Sequence, residues 1–220
     1  MDKEELIHSM IRSGALKSEL VIRAFEKVKR ENFCLPKYSD GAYLDQPLPI
    51  IAGQTISQPT TVAIMTESLD LKEGQNILEI GAGSGYQAAI IAEIIGNKGK
   101  IYTIERIPAL VEFAKHNIER AGYMNVEIIH GDGSLGLKNK APFDRIIVTA
   151  CSPRIPKTLK EQLKIGGKLI IPVGKDQFSQ DLTLITKIDK NKFSEQNLGP
   201  FVFVPLIGKE GWKEYSNEIS

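Results

Sequence analysis

The feature that most restricts the fold of this chain is a short apolar run that leads directly into alternating glycines. Residues 77–80 read Ile-Leu-Glu-Ile, then come Gly81, Gly83 and Gly85, and a helical pattern begins immediately after them. Glycine allows a tight turn and removes the Cβ atoms that would keep a ligand away from the backbone. The following helix offers unpaired N–H groups and the positive end of its dipole. This order of strand, glycine loop and helix predicts a nucleotide-type cofactor site.

The rest of the chain indicates what kind of sheet carries this loop. Strands that alternate with helices predict a doubly wound, mostly parallel, seven-stranded α/β sheet behind an N-terminal segment of helices and loop. No helical pattern separates the last two strands, so we expect an antiparallel hairpin there. Sheets of this kind bind ligands beyond the carboxyl ends of their strands, where the strand order reverses. The predicted strands are 76–80, 100–105, 126–130, 144–149, 168–173, 182–188 and 201–206, and the predicted helices are 2–11, 18–29, 59–69, 85–95, 108–121 and 155–163.

Acidic and small residues stand at the ends of the next predicted strands. Glu105 ends the second strand, twenty positions after Gly85 (105 − 85), and a carboxylate there can accept hydrogen bonds from both ribose hydroxyls of a nucleotide. The third strand ends in residues 131–133, Gly-Asp-Gly, which are either a plain turn or a contact to the ligand. The fourth strand ends near Thr149 and Ala150, so we expect its tip to border both cofactor and substrate.

Composition argues against several other classes of protein. The 220 residues carry a formal net charge of +1, which gives no strong attraction to nucleic acid or to anionic membranes. Two cysteines are too few for a disulfide framework, and the three histidines show no triad or metal spacing. The charged first residues lack the apolar run of a signal peptide. We therefore expect a cytoplasmic monomer with buried, unreactive cysteines, no metal, and no nucleic-acid or membrane partner.

A long segment without periodicity, residues 31–58, precedes the third predicted helix. Five prolines or glycines interrupt it, but its aromatic and apolar residues argue against disorder. A loop of this length in a compact domain is usually functional, and we expect it to cover the ligand site. Ser57, near its end, fits either an active-site hydroxyl or the N-cap of the helix that Pro59 begins.

Two kinds of cofactor loop share the glycine pattern. A dinucleotide loop needs a glycine at position 86, where this chain has Tyr86. The pattern Glu79-x-Gly81-x-Gly83-x-Gly85 instead resembles motif I of the class I S-adenosylmethionine methyltransferases.

A more specific resemblance lies in the long segment. Residues 47–50, Pro-Leu-Pro-Ile, and residues 53–59, Gly-Gln-Thr-Ile-Ser-Gln-Pro, resemble the protein-L-isoaspartate (D-aspartate) O-methyltransferase family. The resemblance continues in order through residues 130–133, 143–150 and 201–206, and it covers about residues 18–207. Gln58, Thr60 and Cys151 depart from the family pattern.

This resemblance implies a Rossmann-like class I methyltransferase core that uses S-adenosyl-L-methionine and releases S-adenosyl-L-homocysteine. The implied acceptors are L-isoaspartyl residues of damaged proteins and peptides, and the acceptance of D-aspartyl residues stays open. Ser57 is the implied catalytic residue, and Asp132 is expected at the adenine ring. We expect one domain, with residues 1–74 as helices and cover, 75–207 as the cofactor-binding core and 208–220 as a tail. The expected cofactor-binding residues are Glu79, Gly81, Gly83, Ser84, Gly85, Glu105, Asp132, Gly133 and Thr149, and the expected substrate-binding residues are Gln54, Thr55, Ile56, Ser57 and Ala150.

Three other functions fit part of the pattern. They are a class I methyltransferase that acts on RNA or a small molecule, a binding protein that kept the cofactor pocket, and a nicotinamide-dependent oxidoreductase. The absence of a basic stretch interleaved with aromatic residues argues against RNA. The intact Ser57 segment argues against a binding protein, and Tyr86 argues against the oxidoreductase.

Overall fold

A seven-stranded sheet forms the centre of the molecule in the computed structural model, which describes residues 1–176 and 179–213. A two-stranded ladder of β1 (Leu48–Pro49) and β2 (Thr55–Ile56) precedes it in the chain. The strands of the main sheet are β3 (Asn76–Ile80), β4 (Lys100–Glu105), β5 (Val126–His130), β6 (Phe143–Val148), β7 (Leu163–Gly174), β8 (Gln180–Asp189) and β9 (Lys192–Phe201).

The strand order is β5-β4-β3-β6-β7-β8-β9. The first five strands in this order are parallel, whereas β8 runs antiparallel to both of its neighbours. After β3 the chain moves outward through β4 and β5, and it then returns to the other side of β3 with β6. The order therefore reverses between β3 and β6, and a ligand site is expected beyond the carboxyl ends of these two strands.

In the described part of the chain, six α-helices occupy the positions that the sequence predicts, although the second and the sixth are shorter than expected. Helix α4 is buried on nearly every side, because it packs between the sheet and the N-terminal helices. Within residues 1–176 and 179–213, no helix is both long enough and apolar enough to cross a bilayer. The helices are α1 (Lys3–Ser13), α2 (Glu19–Lys27), α3 (Pro59–Ser68), α4 (Tyr86–Ile95), α5 (Pro108–Ala121) and α6 (Lys157–Glu161).

Strand β3 shows why its sequence is almost continuously apolar. Successive side chains of a strand point to opposite faces of the sheet. Ile77 belongs to the hydrophobic cluster that includes α4 and the N-terminal helices, whereas Leu78 belongs to the cluster on the other face. Both are fully buried, so β3 is covered on both sides and holds the glycine loop at a fixed place.

The predicted seventh strand, residues 201–206, is wrong. The chain instead pairs residues 192–201 with β8 as an antiparallel hairpin, so the expected hairpin is present but its second strand comes earlier. Strand β9 lies at the edge of the sheet and is mostly exposed. It is therefore polar and contains Gly199 and Pro200, which the sequence pattern does not associate with a strand. Beyond Phe201 the chain leaves the sheet.

Residues 31–58 form an ordered cover built from short 3-10 turns and the β1–β2 ladder. The Arg30 guanidinium, which is fully buried, donates to the carbonyl oxygens of Gln46 (3.2 Å) and Ser57 (3.1 Å) and so joins two parts of this cover. The Asp45 carboxylate accepts hydrogen bonds from the Thr60 N–H (2.9 Å) and the Thr60 hydroxyl (2.7 Å). Through these bonds to Thr60, the Asp45 carboxylate caps the N-terminus of α3.

Candidate active site

A cavity opens beyond the carboxyl ends of β3 and β6, where the strand order reverses. Its walls come from the end of the cover, the glycine loop, the end of β4, the turn after β5, the tip of β6 and a segment near the C-terminus. The lining residues are Gln54, Thr55, Ile56, Ser57, Val62, Ile80, Gly81, Ala82, Gly83, Ser84, Tyr86, Gln87, Ile104, Glu105, Arg106, Ile107, Leu110, Gly133, Thr149, Ala150, Val204, Pro205, Leu206 and Ile207.

The glycine loop needs its first glycine for two reasons. Gly81 has φ +94°, a conformation that side chains disfavour. A Cβ atom at this position would also overlap the hydroxyl oxygen of Thr149. That hydroxyl lies close to the carbonyl oxygens of Ile80 (3.0 Å) and Gly81 (2.8 Å) and can donate to either. Thr149 therefore fastens the loop to the tip of β6 while it lines the cavity.

Glu105 presents a buried carboxylate to the same cavity. One oxygen accepts a hydrogen bond from the Gly83 N–H (3.1 Å), and the other accepts one from the Ile107 N–H (3.0 Å). Each carboxylate oxygen has a second lone pair. The backbone thus fixes the orientation of Glu105 and leaves acceptor capacity for a vicinal diol.

Glu79 does not line the cavity. Its side chain is fully buried, and neither carboxyl oxygen has a hydrogen-bond partner among the described residues. Burial raises the pKa of Glu79 to about 8, the nearby Thr103 hydroxyl opposes this increase, and the charge of Glu105 adds to it. The carboxyl is therefore largely protonated at neutral pH.

Gly85 and Asp132 are also absent from the cavity wall. Gly85 has φ +88°, and a Cβ atom there would lie only 3.1 Å from the side chain of Ile118, so it is needed for packing of the loop against α5. The Asp132 carboxylate accepts hydrogen bonds from the N–H (2.9 Å) and hydroxyl (2.7 Å) of Ser134 and from the Lys209 N–H (2.8 Å). Only Gly133 of the Gly-Asp-Gly turn reaches the cavity.

Ser57 lies on the cavity wall, at the end of the cover. It is not the N-cap of α3, because that position belongs to Gln58. Across the part of the chain that the structure describes, the Ser57 hydroxyl has no hydrogen-bond partner, whereas its carbonyl oxygen is held by Arg30. The neighbouring residues Gln54, Thr55 and Ile56 line the cavity with it, and so does Ala150 from β6.

Among the described residues, no activated cysteine and no group of metal ligands lies beside this cavity. Cys151 is buried, and burial raises the pKa of its thiol to about 11. Cys34 is also buried and free. Among residues 1–176 and 179–213, no three His, Cys, Asp or Glu side chains come together as metal ligands would.

Comparison with known proteins identifies the family of this chain. The model of the protein-L-isoaspartate (D-aspartate) O-methyltransferase family matches residues 1–211. This chain belongs to that family. A protein-L-isoaspartate O-methyltransferase of Pyrococcus horikoshii is 54% identical over 221 residues, which cover 97% of this chain and 100% of the relative. One of Methanothermobacter thermautotrophicus is 50% identical over 212 residues, covering 96% and 98%.

Solved structures agree with the fold of the family. A protein-L-isoaspartate O-methyltransferase aligns with a TM-score of 0.87 at 32% identity, over 96% of this chain and 67% of that chain. A crystal structure from Plasmodium falciparum, described as a complex with S-adenosyl-L-homocysteine, aligns with a TM-score of 0.84 at 27% identity, over 94% and 99%. The Rossmann-like, mostly parallel seven-stranded fold is thus the fold of this methyltransferase family.

The residues of this family member fit S-adenosyl-L-methionine in three respects. The glycine loop leaves no Cβ atom between its backbone and the cavity at two positions, Gly81 and Gly83. Glu105 keeps free acceptor positions at the cavity wall. The loop also lacks the glycine at position 86 that a dinucleotide requires, and the buried Tyr86 takes its place.

One wall of the methyltransferase cavity is not predicted by the sequence pattern. Residues Val204 to Ile207 line it, although the sequence pattern assigned residues 201–206 to a strand. Arg106, Ile107 and Leu110, which follow Glu105, were missed as well. Their position directly after the predicted ribose-binding acid was a signal that could have found them.

Proposed function

We propose that this chain transfers a methyl group from S-adenosyl-L-methionine to the free carboxylate of L-isoaspartyl residues in damaged proteins and peptides, which initiates their repair. The observation that carries the proposal is that the glycine loop and the Ser57 segment line one cavity. When bound, S-adenosyl-L-methionine supplies an electrophilic methyl group on a positively charged sulfur. Gly81, Gly83, Ser84 and Thr149 would hold its methionine end, Glu105 its ribose and Gly133 its adenine.

The acceptor carries no proton that the enzyme must remove. A side-chain carboxyl has an unperturbed pKa of about 4, so it is ionised and nucleophilic at neutral pH. A general base is therefore unnecessary, and among the described residues that line the cavity none is a histidine or a cysteine. The gain available to the enzyme is orientation of the two reactants, which can contribute roughly 7–11 kcal/mol.

Ser57 provides that orientation in the proposed reaction. Its hydroxyl donates to one carboxylate oxygen and so directs the other oxygen toward the methyl group. The Arg30 guanidinium donates to the Ser57 carbonyl oxygen and so fixes the backbone that carries this hydroxyl. Gln54, Thr55, Ile56 and Ala150 complete the acceptor side and exclude water from it.

Two measurements test the function. Labelled S-adenosyl-L-methionine is offered with an isoaspartyl peptide and with its aspartyl twin, and base-labile label is expected on the first only. Ser57→Ala should lower methyl transfer strongly and leave the dissociation constant of S-adenosyl-L-homocysteine nearly unchanged. Ser194→Ala, on the exposed edge strand β9, is the matched control. An equal loss of cofactor affinity and activity in Ser57→Ala would remove Ser57 from the catalytic role.

The remaining properties belong to the same proposal. We propose a single domain in which residues 1–74 supply the cover, 75–207 the cofactor-binding core and 208–220 the tail, of which residues 214–220 lie outside the described part. A formal net charge of +1 supports protein and peptide acceptors rather than nucleic acid or membrane. Two buried free cysteines support a cytoplasmic location. We also propose a monomer, which light scattering coupled to size-exclusion chromatography can test.

A further inference from the structure

The segment after β9 crosses the carboxyl end of the sheet and is fastened there at three places. We call residues 204–212 the C-terminal clasp. Its first four residues line the active-site cavity. Val204 and Pro205 are exposed, whereas Leu206 is buried beneath them. The clasp therefore forms a partly exposed wall of the cavity.

The first attachment is to the tip of β6. The Cys151 N–H donates to the Val204 carbonyl oxygen (2.8 Å), and the Leu206 N–H donates to the Cys151 carbonyl oxygen (2.7 Å). The Trp212 indole N–H donates to the same Cys151 oxygen (3.0 Å). The clasp also folds back on itself, because the Trp212 backbone N–H donates to the Leu206 carbonyl oxygen (2.7 Å).

The second attachment is to the turn after β5. The Asp132 carboxylate accepts the Lys209 N–H (2.8 Å), and the Ser134 hydroxyl accepts the Glu210 N–H (3.0 Å). Gly208 lies so close that a Cβ atom would overlap a carboxylate oxygen of Asp132 and would stand 2.6 Å from the Ser134 hydroxyl oxygen. The turn and the clasp thus pack directly against each other, and there is no room for a side chain at position 208 between them.

The third attachment is to the start of α6. The Glu210 carboxylate accepts hydrogen bonds from the Thr158 N–H (3.2 Å) and from the Thr158 hydroxyl. An acidic side chain at the first turn of a helix is favoured by its free N–H groups and its dipole. This contact ties the clasp to α6, which itself contacts the turn after β5.

We propose that the C-terminal clasp builds the acceptor side of the active site, and that Asp132, Ser134 and Thr158 are positioning residues that hold it there. This inference rests on the proposed function. It gives Asp132 a different role from the adenine contact, because its carboxylate already serves Ser134 and Lys209 and stands outside the cavity wall. Loosening the clasp moves the wall that residues 204–207 provide and leaves the glycine loop and Glu105 in place.

Tryptophan fluorescence can report on the position of the clasp, because Trp212 lies in the clasp and is the single tryptophan of the chain. The variants are Glu210→Ala, Gly208→Ala and Asp132→Ala. Glu161→Ala is the matched control, because Glu161 is exposed on α6 and its ion pair is with Lys157 on the same helix. The measurements are the tryptophan emission maximum, acrylamide quenching, the affinity for S-adenosyl-L-homocysteine, and the kcat and KM for an isoaspartyl peptide.

We expect the three clasp variants to shift tryptophan emission to longer wavelength and to increase quenching. Their kcat/KM for the peptide should fall by between about tenfold and a hundredfold, as a wall displaced by about 1 Å predicts. Affinity for S-adenosyl-L-homocysteine should stay within about twofold of the wild type, and Glu161→Ala should resemble the wild type in every measurement.

Two results would overturn the inference. One is wild-type fluorescence or wild-type kcat/KM in Glu210→Ala and Gly208→Ala. The other is a loss of S-adenosyl-L-homocysteine affinity in Asp132→Ala that the other two variants do not share, because this would make Asp132 a cofactor ligand. If Gly208→Ala fails to fold, Thr158→Val replaces it, since this change removes one hydroxyl donor and keeps the backbone N–H. Fluorescence is read without methyl transfer, so a wild-type protein that methylates no isoaspartyl peptide would refute the proposed function and not the docking of the clasp.

Discussion

The buried carboxyl of Glu79 makes the stability of this fold depend on pH in a predictable direction. Burial raises its pKa from 4.5 to about 8, with Thr103 opposing and Glu105 assisting the increase. The folded protein therefore keeps the proton on Glu79 to a higher pH than the unfolded chain does. Unfolding releases this proton between pH 4.5 and about 8, so the free energy of unfolding falls as pH rises through that window.

The magnitude follows from the two pKa values. Their difference, 8 − 4.5, corresponds to roughly 5 kcal/mol at about 1.36 kcal/mol per pH unit. A glutamine at position 79 has nearly the same shape and cannot ionise. We therefore expect Glu79→Gln to match the wild type within about 1 kcal/mol at pH 5 and to be more stable by several kcal/mol at pH 8.5.

Urea denaturation at pH 5, 6.5 and 8.5 measures this difference, with Glu119→Gln on the exposed face of α5 as the control. The control should follow the wild-type pH dependence, because Glu119 is exposed in the folded state. Parallel stability curves for Glu79→Gln and the wild type would refute the reasoning. They would show that the carboxyl ionises in the folded protein as easily as in the unfolded chain.

Three further perturbations address the glycine loop, Glu105 and the buried Lys187. Gly81→Ala should destabilise the cofactor-free protein by about 2–5 kcal/mol in urea denaturation, from φ strain and overlap with Thr149. Gly83→Ala should cost only about 1–2 kcal/mol, because at φ +54° its Cβ atom would make no more than an ordinary contact with Ile50. Glu105→Gln should weaken S-adenosyl-L-homocysteine binding about tenfold in calorimetric titration, because it loses one acceptor; unchanged affinity would contradict the assignment. Lys187→Met should lower the free energy of unfolding by about 2–3 kcal/mol, because the Lys187 ammonium donates to carbonyl oxygens at and just after the end of α6. Wild-type stability of this variant in urea denaturation would contradict the prediction.

The sequence was sufficient for the architecture of the core. Strands covered on both faces, such as β3, are apolar at nearly every position, and glycines mark the points where the chain turns toward a ligand. These signals are local, so residues 76–80 and 100–105 were predicted with the bounds that the structure shows. The edge strand β9 gives no such signal, because exposure on both sides permits a polar sequence.

The site was predicted less completely, for a related reason. Gly81, Glu105 and Ser57 lie in short motifs, and the structure brings all three to one cavity. The clasp is held through backbone N–H groups, such as those of Lys209 and Glu210, which any residue possesses. A pairing between Asp132 and Lys209 therefore leaves no trace in either local pattern, and only the folded chain reveals it.

The charge changes of the proposed reaction favour orientation of the reactants as the source of catalysis. Methyl transfer joins an anionic acceptor to a cationic donor, and both charges are partly neutralised in the transition state. A strong countercharge for either reactant would favour the reactants over the transition state and would slow the reaction. Burial favours the protonated form of Glu79, and two backbone N–H groups donate to the Glu105 carboxylate, which keeps free acceptor positions. Neutral donors such as the Ser57 hydroxyl can fix the acceptor without this penalty, so a serine suits this wall better than a lysine or an arginine would.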